Sequence, residues 1–217
     1  GRFLGKRNLS QSDRLSTALE RFYAATDLDA IHDRIELVRN SSISGYRGAA
    51  PLPNPYRKIM GVIGNPPLIP ERATLIAADG SQIYPDHHIA ALYYLINIGV
   101  YTYHHGEPRL PEQLTAPELA YADSKLEDED GRTINNQTVN MRRSVQEMQA
   151  LARHAWELRD EARPLVAIHD GTLLKFFGGI EIAYAQQVER DYMDALQQLH
   201  DTGAVLCGYI DNPRGTH

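Results

Sequence analysis

The sequence is poor in several features that define whole classes of protein. It has one cysteine among 217 residues, which excludes an internal disulfide framework and predicts a reducing compartment. Its apolar runs fall short of the roughly 18 residues that a membrane-spanning helix needs, and its first residues have no apolar signal segment. We therefore expect a cytoplasmic protein with no membrane association, and we expect Cys207 to be packed within an apolar strand.

The chain also has no excess of positive charge. It contains 22 Lys and Arg against 28 Asp and Glu, a net charge of −6. This balance argues against a general nucleic-acid binder, whose surface is usually basic. The argument is weaker for a metal-dependent nuclease, because its site is acidic and bound cations offset the charge. Hydrophobic residues make up 42% of the chain, which indicates one domain with a real core, extended by an arm.

Two apolar segments end alike, in an aspartate, a glycine and a hydroxyl residue. Residues 74–78 lead to Asp79-Gly80-Ser81, and residues 165–169 lead to Asp170-Gly171-Thr172. Each pattern predicts a buried strand with a polar tip. Converging carboxylates repel each other, and a hard cation such as Mg²⁺ or Mn²⁺ relieves that repulsion. Asp-Gly is also a common turn dipeptide, so it is the repetition that favours a metal site over two turns.

The rest of the pattern predicts helices and strands in alternation. Helical periodicity extends over residues 10–40, 133–162 and 181–202, and a further buried strand over 204–210. The apolar run 90–103 is interrupted by Asn97 and Gly99, which predicts two strands joined by a turn. We expect an antiparallel meander there, and then a strand, helix and parallel strand. The polar segment 108–130 is predicted to be a solvated loop.

Two further features have both a functional and a structural interpretation. Residues 41–70 interleave basic and aromatic side chains, which suits contact with nucleic acid but is equally typical of a loop. The pairs His87-His88 and His104-His105 suggest metal binding. Adjacent residues of a strand point to opposite faces, however, so neither pair can chelate jointly. We expect both pairs to be loop or strand-end residues.

The order of meander, helix, Asp-bearing strand, helix and strand is that of an RNase H-like fold. Within it, residues 76–82, 168–173 and 208–214 resemble, in sequence and order, the NurA nuclease family. The resemblance extends from about residue 72 to residue 217. It implies an α/β fold, an RNase H-like mixed sheet flanked by helices, in a nuclease core over 71–217. Helical periodicity and loop composition predict an N-terminal helical arm and linker over 1–70.

The resemblance carries an activity with it. NurA proteins are Mn²⁺-dependent 5′→3′ DNA exonucleases that also cut single-stranded DNA. They form homodimers and act with the hexameric HerA ATPase in DNA end resection and repair. The resemblance implies that Asp79 and Asp170 are catalytic metal ligands, with a third, helix-borne ligand at Glu147 or, alternatively, Glu157. The structural alternative for both glutamates is a surface position on an amphipathic helix.

The same resemblance implies residues that contact DNA near the scissile phosphate. These are Ser81, Tyr209, Asp211 and Arg214. An arginine there could hold a phosphate through two hydrogen bonds, while Asp211 is equally suited to a turn. The family also carries a later motif with a metal-site histidine. The sequence ends at His217, which is not at the equivalent position, so we expect a C-terminally incomplete core.

Three hypotheses about function result. The first is a two-metal phosphodiester hydrolase, in which Asp79 bridges two Mn²⁺ or Mg²⁺ ions and Asp170 and Glu147 hold one each. The second is a catalytically impaired module that binds an ATPase ring. The third is another RNase H-like phosphotransferase with the same chemistry and a different partner.

Overall fold

A computed structural model describes residues 2–24, 33, 36–37, 40, 65–86, 88, 91–127, 131, 133–173 and 182–211. The chain divides into two compact units: the first is residues 1–68 with 214–217, and the second is residues 69–213. The first unit contains helix α1, Arg2–Ala24. This helix begins before the predicted helical stretch of residues 10–40 and ends within it. The apolar side chains that suggested this helix, among them Leu15 and Phe22, are exposed. The basic and aromatic side chains of residues 41–64 lie outside the described residues.

The second unit alternates strands and helices. In chain order its elements are β1 (Ala73–Ile83), β2 (Tyr94–His105), β3 (Glu112–Ala120), the short α2 (Asp123–Leu126), α3 (Asn136–Glu157), β4 (Leu165–Asp170), α4 (Ile182–Asp201) and β5 (Val205–Tyr209). Asn135 caps α3 by accepting a hydrogen bond from the Thr138 backbone N–H at 2.9 Å. None of the described helices is long and apolar enough to span a membrane.

The strands form one mixed sheet in the order β3-β2-β1-β4-β5. The pairs β1–β2 and β2–β3 are antiparallel, whereas β1–β4 and β4–β5 are parallel. Helix α3 packs on β1, β2 and β4, and α4 packs on α3. The core lies between α3 and the sheet. It includes Ile76 and Ile96 from the strands and Met148 and Leu151 from α3, none of which is exposed. This architecture confirms the predicted RNase H-like sheet flanked by helices.

Three predictions about the strands were wrong. The run containing Asn97 and Gly99 is one continuous strand, because both residues pair with β1 on one side and β3 on the other. The predicted loop 108–130 contains β3, an edge strand that is exposed except at Ala120 and so shows no apolar alternation. Cys207 is exposed rather than packed, because β5 forms the other edge of the sheet.

The turn after β2 depends on Gly106. Its φ of +74° favours glycine, and a Cβ there would lie 1.9 Å from the Glu71 carbonyl oxygen. We expect Gly106→Ala to lower the free energy of unfolding by about 3 kcal/mol, from strain and overpacking together. Gly203→Ala is the control, because Gly203 has a similar φ of +68° but its nearest neighbour, Arg163 Nη1, is 3.8 Å away. It should lose only about 1 kcal/mol. Urea titration of both variants tests the difference.

Candidate active site

The two predicted aspartates lie side by side across the parallel ladder. β1 and β4 pair in register up to Ala78 and His169. One step further along each strand come Asp79 and Asp170. Neighbouring strands are about 4.8 Å apart, so the two carboxylates start from adjacent positions.

Asp79 and Asp170 also share a face of the sheet. Their neighbours Ala78 and His169 are buried toward α3, whereas both aspartates are exposed. Side chains alternate along a strand, so the aspartates point to the face away from α3. There they line a cavity of about 470 Å³. The same cavity is lined by Ser81, Asn97, Gly99, Thr115 and Tyr209.

The glycine that follows Asp170 allows the chain to turn. Gly171 has a φ of +113°, a backbone conformation that favours glycine, and the chain turns there after Asp170. Its N–H donates a 2.7 Å hydrogen bond to the Tyr209 carbonyl, which fixes the turn against β5. The Tyr192 hydroxyl on α4 donates to the Leu173 carbonyl at 3.0 Å and holds the segment that follows. The backbone that carries Asp170 is therefore anchored from two elements.

Asp79 was predicted to lie at a strand tip, but it lies within β1. β1 continues to Ile83 because its antiparallel pairing with β2 persists, with Asp79 opposite Gly99. Only the parallel pairing with β4 stops before Asp79. Asp79 therefore lies where β1 is still paired with β2 but no longer paired with β4.

Glu147 approaches β1 from the other side of the sheet. It is 3% exposed, and its Oε1 accepts a 2.8 Å hydrogen bond from Arg143 Nη1. Arg143 also donates to the Gly80 carbonyl at 2.7 Å. The other carboxylate oxygen of Glu147 is 3.9 Å from His169 Nδ1. Burial, and then the Glu147 charge, raise the pKa of Tyr192.

Gly80 is what allows Glu147 to lie there. A Cβ on Gly80 would be 2.6 Å from Glu147 Oε1, so the carboxylate fills space that any other residue would occupy. Glu147 therefore contacts the residue next to Asp79, but it does not line the cavity that contains Asp79 and Asp170. The alternative ligand Glu157 is the last residue of α3, is 64% exposed and pairs with His154 at 3.1 Å.

The predicted DNA-contacting residues are partly described. Ser81 and Tyr209 line the cavity, and the Tyr209 hydroxyl donates to Asp211 Oδ1 at 3.4 Å. Arg214 and His217 lie outside the described residues. Sequence reasoning missed Arg143, although its spacing of four residues from Glu147 on a helix is that of an ion pair.

The space at Gly80 can be tested by filling it. We expect Gly80→Ala to displace the Glu147 and Arg143 side chains and to lower the melting temperature by several degrees, for a cost of about 1–3 kcal/mol. Gly99→Ala, opposite Asp79 on β2, is the control. Its added Cβ would come no closer than 3.7 Å to another heavy atom. Equal melting temperatures for the two variants would show that Glu147 moves aside freely.

Comparisons with known proteins place the chain. A family model described as the NurA domain matches residues 73–216. No curated protein matches it significantly. Among solved structures, the NurA nuclease from Sulfolobus solfataricus is 11% identical with a TM-score of 0.40, over 65% of this chain and 48% of that chain. NurA bound to dAMP and manganese is 13% identical with a TM-score of 0.31, over 94% and 42%. LC9-RNase H1 is 11% identical with a TM-score of 0.34, over 70% and 68%.

The chain thus spans about half or less of the NurA structures that it matches. The family model, by contrast, covers well over half of this chain, from β1 to the end of the described core and beyond. That span includes both aspartates, Glu147 and Tyr209. The chain belongs to the NurA family.

Proposed function

We propose that this chain is a metal-dependent DNA nuclease, a phosphodiester hydrolase with its site between β1 and β4. One observation carries the proposal: Asp79 and Asp170, on adjacent parallel strands, line one open cavity in a chain of the NurA family. Two neighbouring carboxylates repel each other and destabilise the fold, so their presence in one open cavity favours a functional role.

The donor set fits a hard divalent cation. Two aspartates on the same face offer oxygen ligands only, which suits Mn²⁺ or Mg²⁺. Glu147 is the third acidic group, separated from the cavity by the backbone of Gly80. We propose that Asp79 and Asp170 would hold the cations directly and that Glu147 would add its negative charge from behind Gly80. We propose Mn²⁺ as the ion because the chain belongs to the NurA family.

Each residue has a distinct task in this mechanism. The bound cations would supply Lewis-acid chemistry, lowering the pKa of water and neutralising charge on the phosphate. Asp79 and Asp170 fix the position of that chemistry, because rigid strands carry both. Tyr209 and Ser81 line the same cavity and would align the DNA backbone. Asp211 and Arg214 are proposed as further DNA contacts. No side chain acts as a covalent nucleophile.

The family also suggests the biological setting. We propose 5′→3′ exonuclease and single-strand endonuclease activity in DNA end resection and repair, in the cytoplasm. We propose a homodimer that works with a HerA-type hexameric ATPase. Family membership is the support for each of these points.

The direct test is cleavage of end-labelled single- and double-stranded DNA by the purified chain. Degradation is expected with Mn²⁺, and none with EDTA. Release of labelled nucleotides from 5′ ends, before 3′ ends, would support the proposed polarity. Degradation that is equally fast in EDTA would contradict the metal-dependent mechanism.

One observation favours a second candidate, a catalytically impaired module that binds the ATPase ring. Glu147 is paired with Arg143 and does not line the cavity, so only Asp79 and Asp170 of the three acids face it. Titration with Mn²⁺ separates the two functions. The nuclease should bind Mn²⁺ in an Asp79-dependent manner, and the impaired module should bind it only weakly.

A further inference from the structure

A buried histidine lies at the opposite end of the sheet. His104, on β2, is 1% exposed and faces the α3 side. Within the described part of the chain, neither of its ring nitrogens has a hydrogen-bond partner. A buried polar group left without a partner costs about 1–3 kcal/mol. A bound ligand would remove this penalty.

Two carboxylates lie close to this imidazole. Glu107, in the turn after β2, and Glu161, in the turn between α3 and β4, each place an oxygen near a His104 ring nitrogen. The three ligand atoms all lie within 4.8 Å of one another. A third carboxylate, from Glu112 at the start of β3, has its Oε1 3.9 Å from His104 Nε2.

We propose that His104, Glu107 and Glu161 bind a divalent transition-metal cation of the Zn²⁺ class. One imidazole nitrogen and two carboxylates are a ligand set that zinc uses, with a fourth position left for water or Glu112. The imidazole selects zinc-like ions over Mg²⁺, which prefers oxygen alone. The ion would join the β2–β3 turn to the α3–β4 turn, and so hold α3 against the sheet.

This site is separate from the Asp79–Asp170 cavity. His104 pairs with Thr74 on β1, five residues before Asp79. At about 3.3 Å per residue, the two positions are roughly 17 Å apart along the strand. They also lie on opposite faces of the sheet, because His104 is buried toward α3 while Asp79 is exposed.

Arginines are the competitors for these carboxylates. Arg72 pairs with Glu107, and Arg109 Nη1 is 3.0 Å from Glu161 Oε2. Both guanidinium groups are partly exposed and can turn into solvent when a cation binds. The arginine pairs neutralise Glu107 and Glu161 but leave both ring nitrogens of His104 without a hydrogen bond. A metal ion satisfies all three side chains.

The test uses the Asp79→Asn/Asp170→Asn double variant, which removes the other acidic site without touching the core. After EDTA treatment, isothermal titration with Zn²⁺ should show one bound equivalent. Co²⁺ in place of Zn²⁺ should give visible absorption bands of a nitrogen- and oxygen-ligated ion. Adding Glu161→Gln should weaken Zn²⁺ binding at least 100-fold, and adding His104→Gln should do the same.

Matched controls complete the design. His105→Gln, the neighbour on the opposite face, should leave Zn²⁺ binding unchanged. Arg109→Gln should tighten it, because a competing cation is removed. No Zn²⁺ binding by the double variant, or binding unaffected by Glu161→Gln, would overturn the proposal. Glu161 is in a surface turn, so its variant carries the test even if His104→Gln fails to fold by circular dichroism.

Discussion

Asp79→Asn is expected to slow metal-dependent DNA cleavage by about 10³-fold while leaving the fold intact. The amide has the same shape as the carboxylate but lacks the negative charge that holds a divalent cation. A loss of about 4 kcal/mol in charge stabilisation of the transition state corresponds to cleavage that is about 10³-fold slower. Stability should change little, because Asp79 is exposed and lines an open cavity.

The measurement is the rate of Mn²⁺-dependent degradation of end-labelled DNA by wild type and variant, with melting temperatures alongside. Asp201→Asn, in an exposed position at the end of α4, makes the same chemical change away from the cavity and should cleave like wild type. Wild-type cleavage by Asp79→Asn would remove Asp79 from the mechanism. Inactivity of every protein, wild type included, would favour the ATPase-binding module.

The proximity of Asp79 and Asp170 could be predicted from the sequence because it depends on strand register. The apolar runs that lead to them form neighbouring parallel strands, although β1 continues past Asp79 to Ile83. The register of β1 and β4 does bring Asp79 and Asp170 level. The helices α3 and α4 were equally predictable, because each carries an apolar stripe on the face that packs on the core.

What could not be predicted depends on contacts between residues distant in sequence. β3 is formed by its hydrogen bonds to β2 and not by apolar alternation, so its polar sequence gave no strand signal. The histidine pairs were rejected as joint chelators, and β2 does direct His104 inward and leave His105 partly exposed. That argument did not reveal that a single histidine meets Glu161, which follows it by more than 50 residues.

Glu147→Gln should reduce Mn²⁺-dependent cleavage by about 10- to 100-fold. The glutamate lies against Gly80, next to Asp79, and neutralises Arg143. Without its charge, the Arg143 guanidinium would remain beside the site and repel the cations that Asp79 must hold. Glu157→Gln is the matched control, because Glu157 is on the same helix and is 64% exposed. It should cleave DNA and bind Mn²⁺ like wild type.

Arg143→Gln separates a role in cation binding from a role in packing. If Glu147 helps to hold the cations, removing its arginine partner should tighten Mn²⁺ binding, while Glu147→Gln weakens it. If the pair only fastens α3 to β1, both variants should lose melting temperature equally, and both should keep wild-type cleavage and Mn²⁺ affinity. We expect opposite shifts in Mn²⁺ affinity, because the Arg143 guanidinium donates a hydrogen bond to the carbonyl of Gly80, the residue next to Asp79.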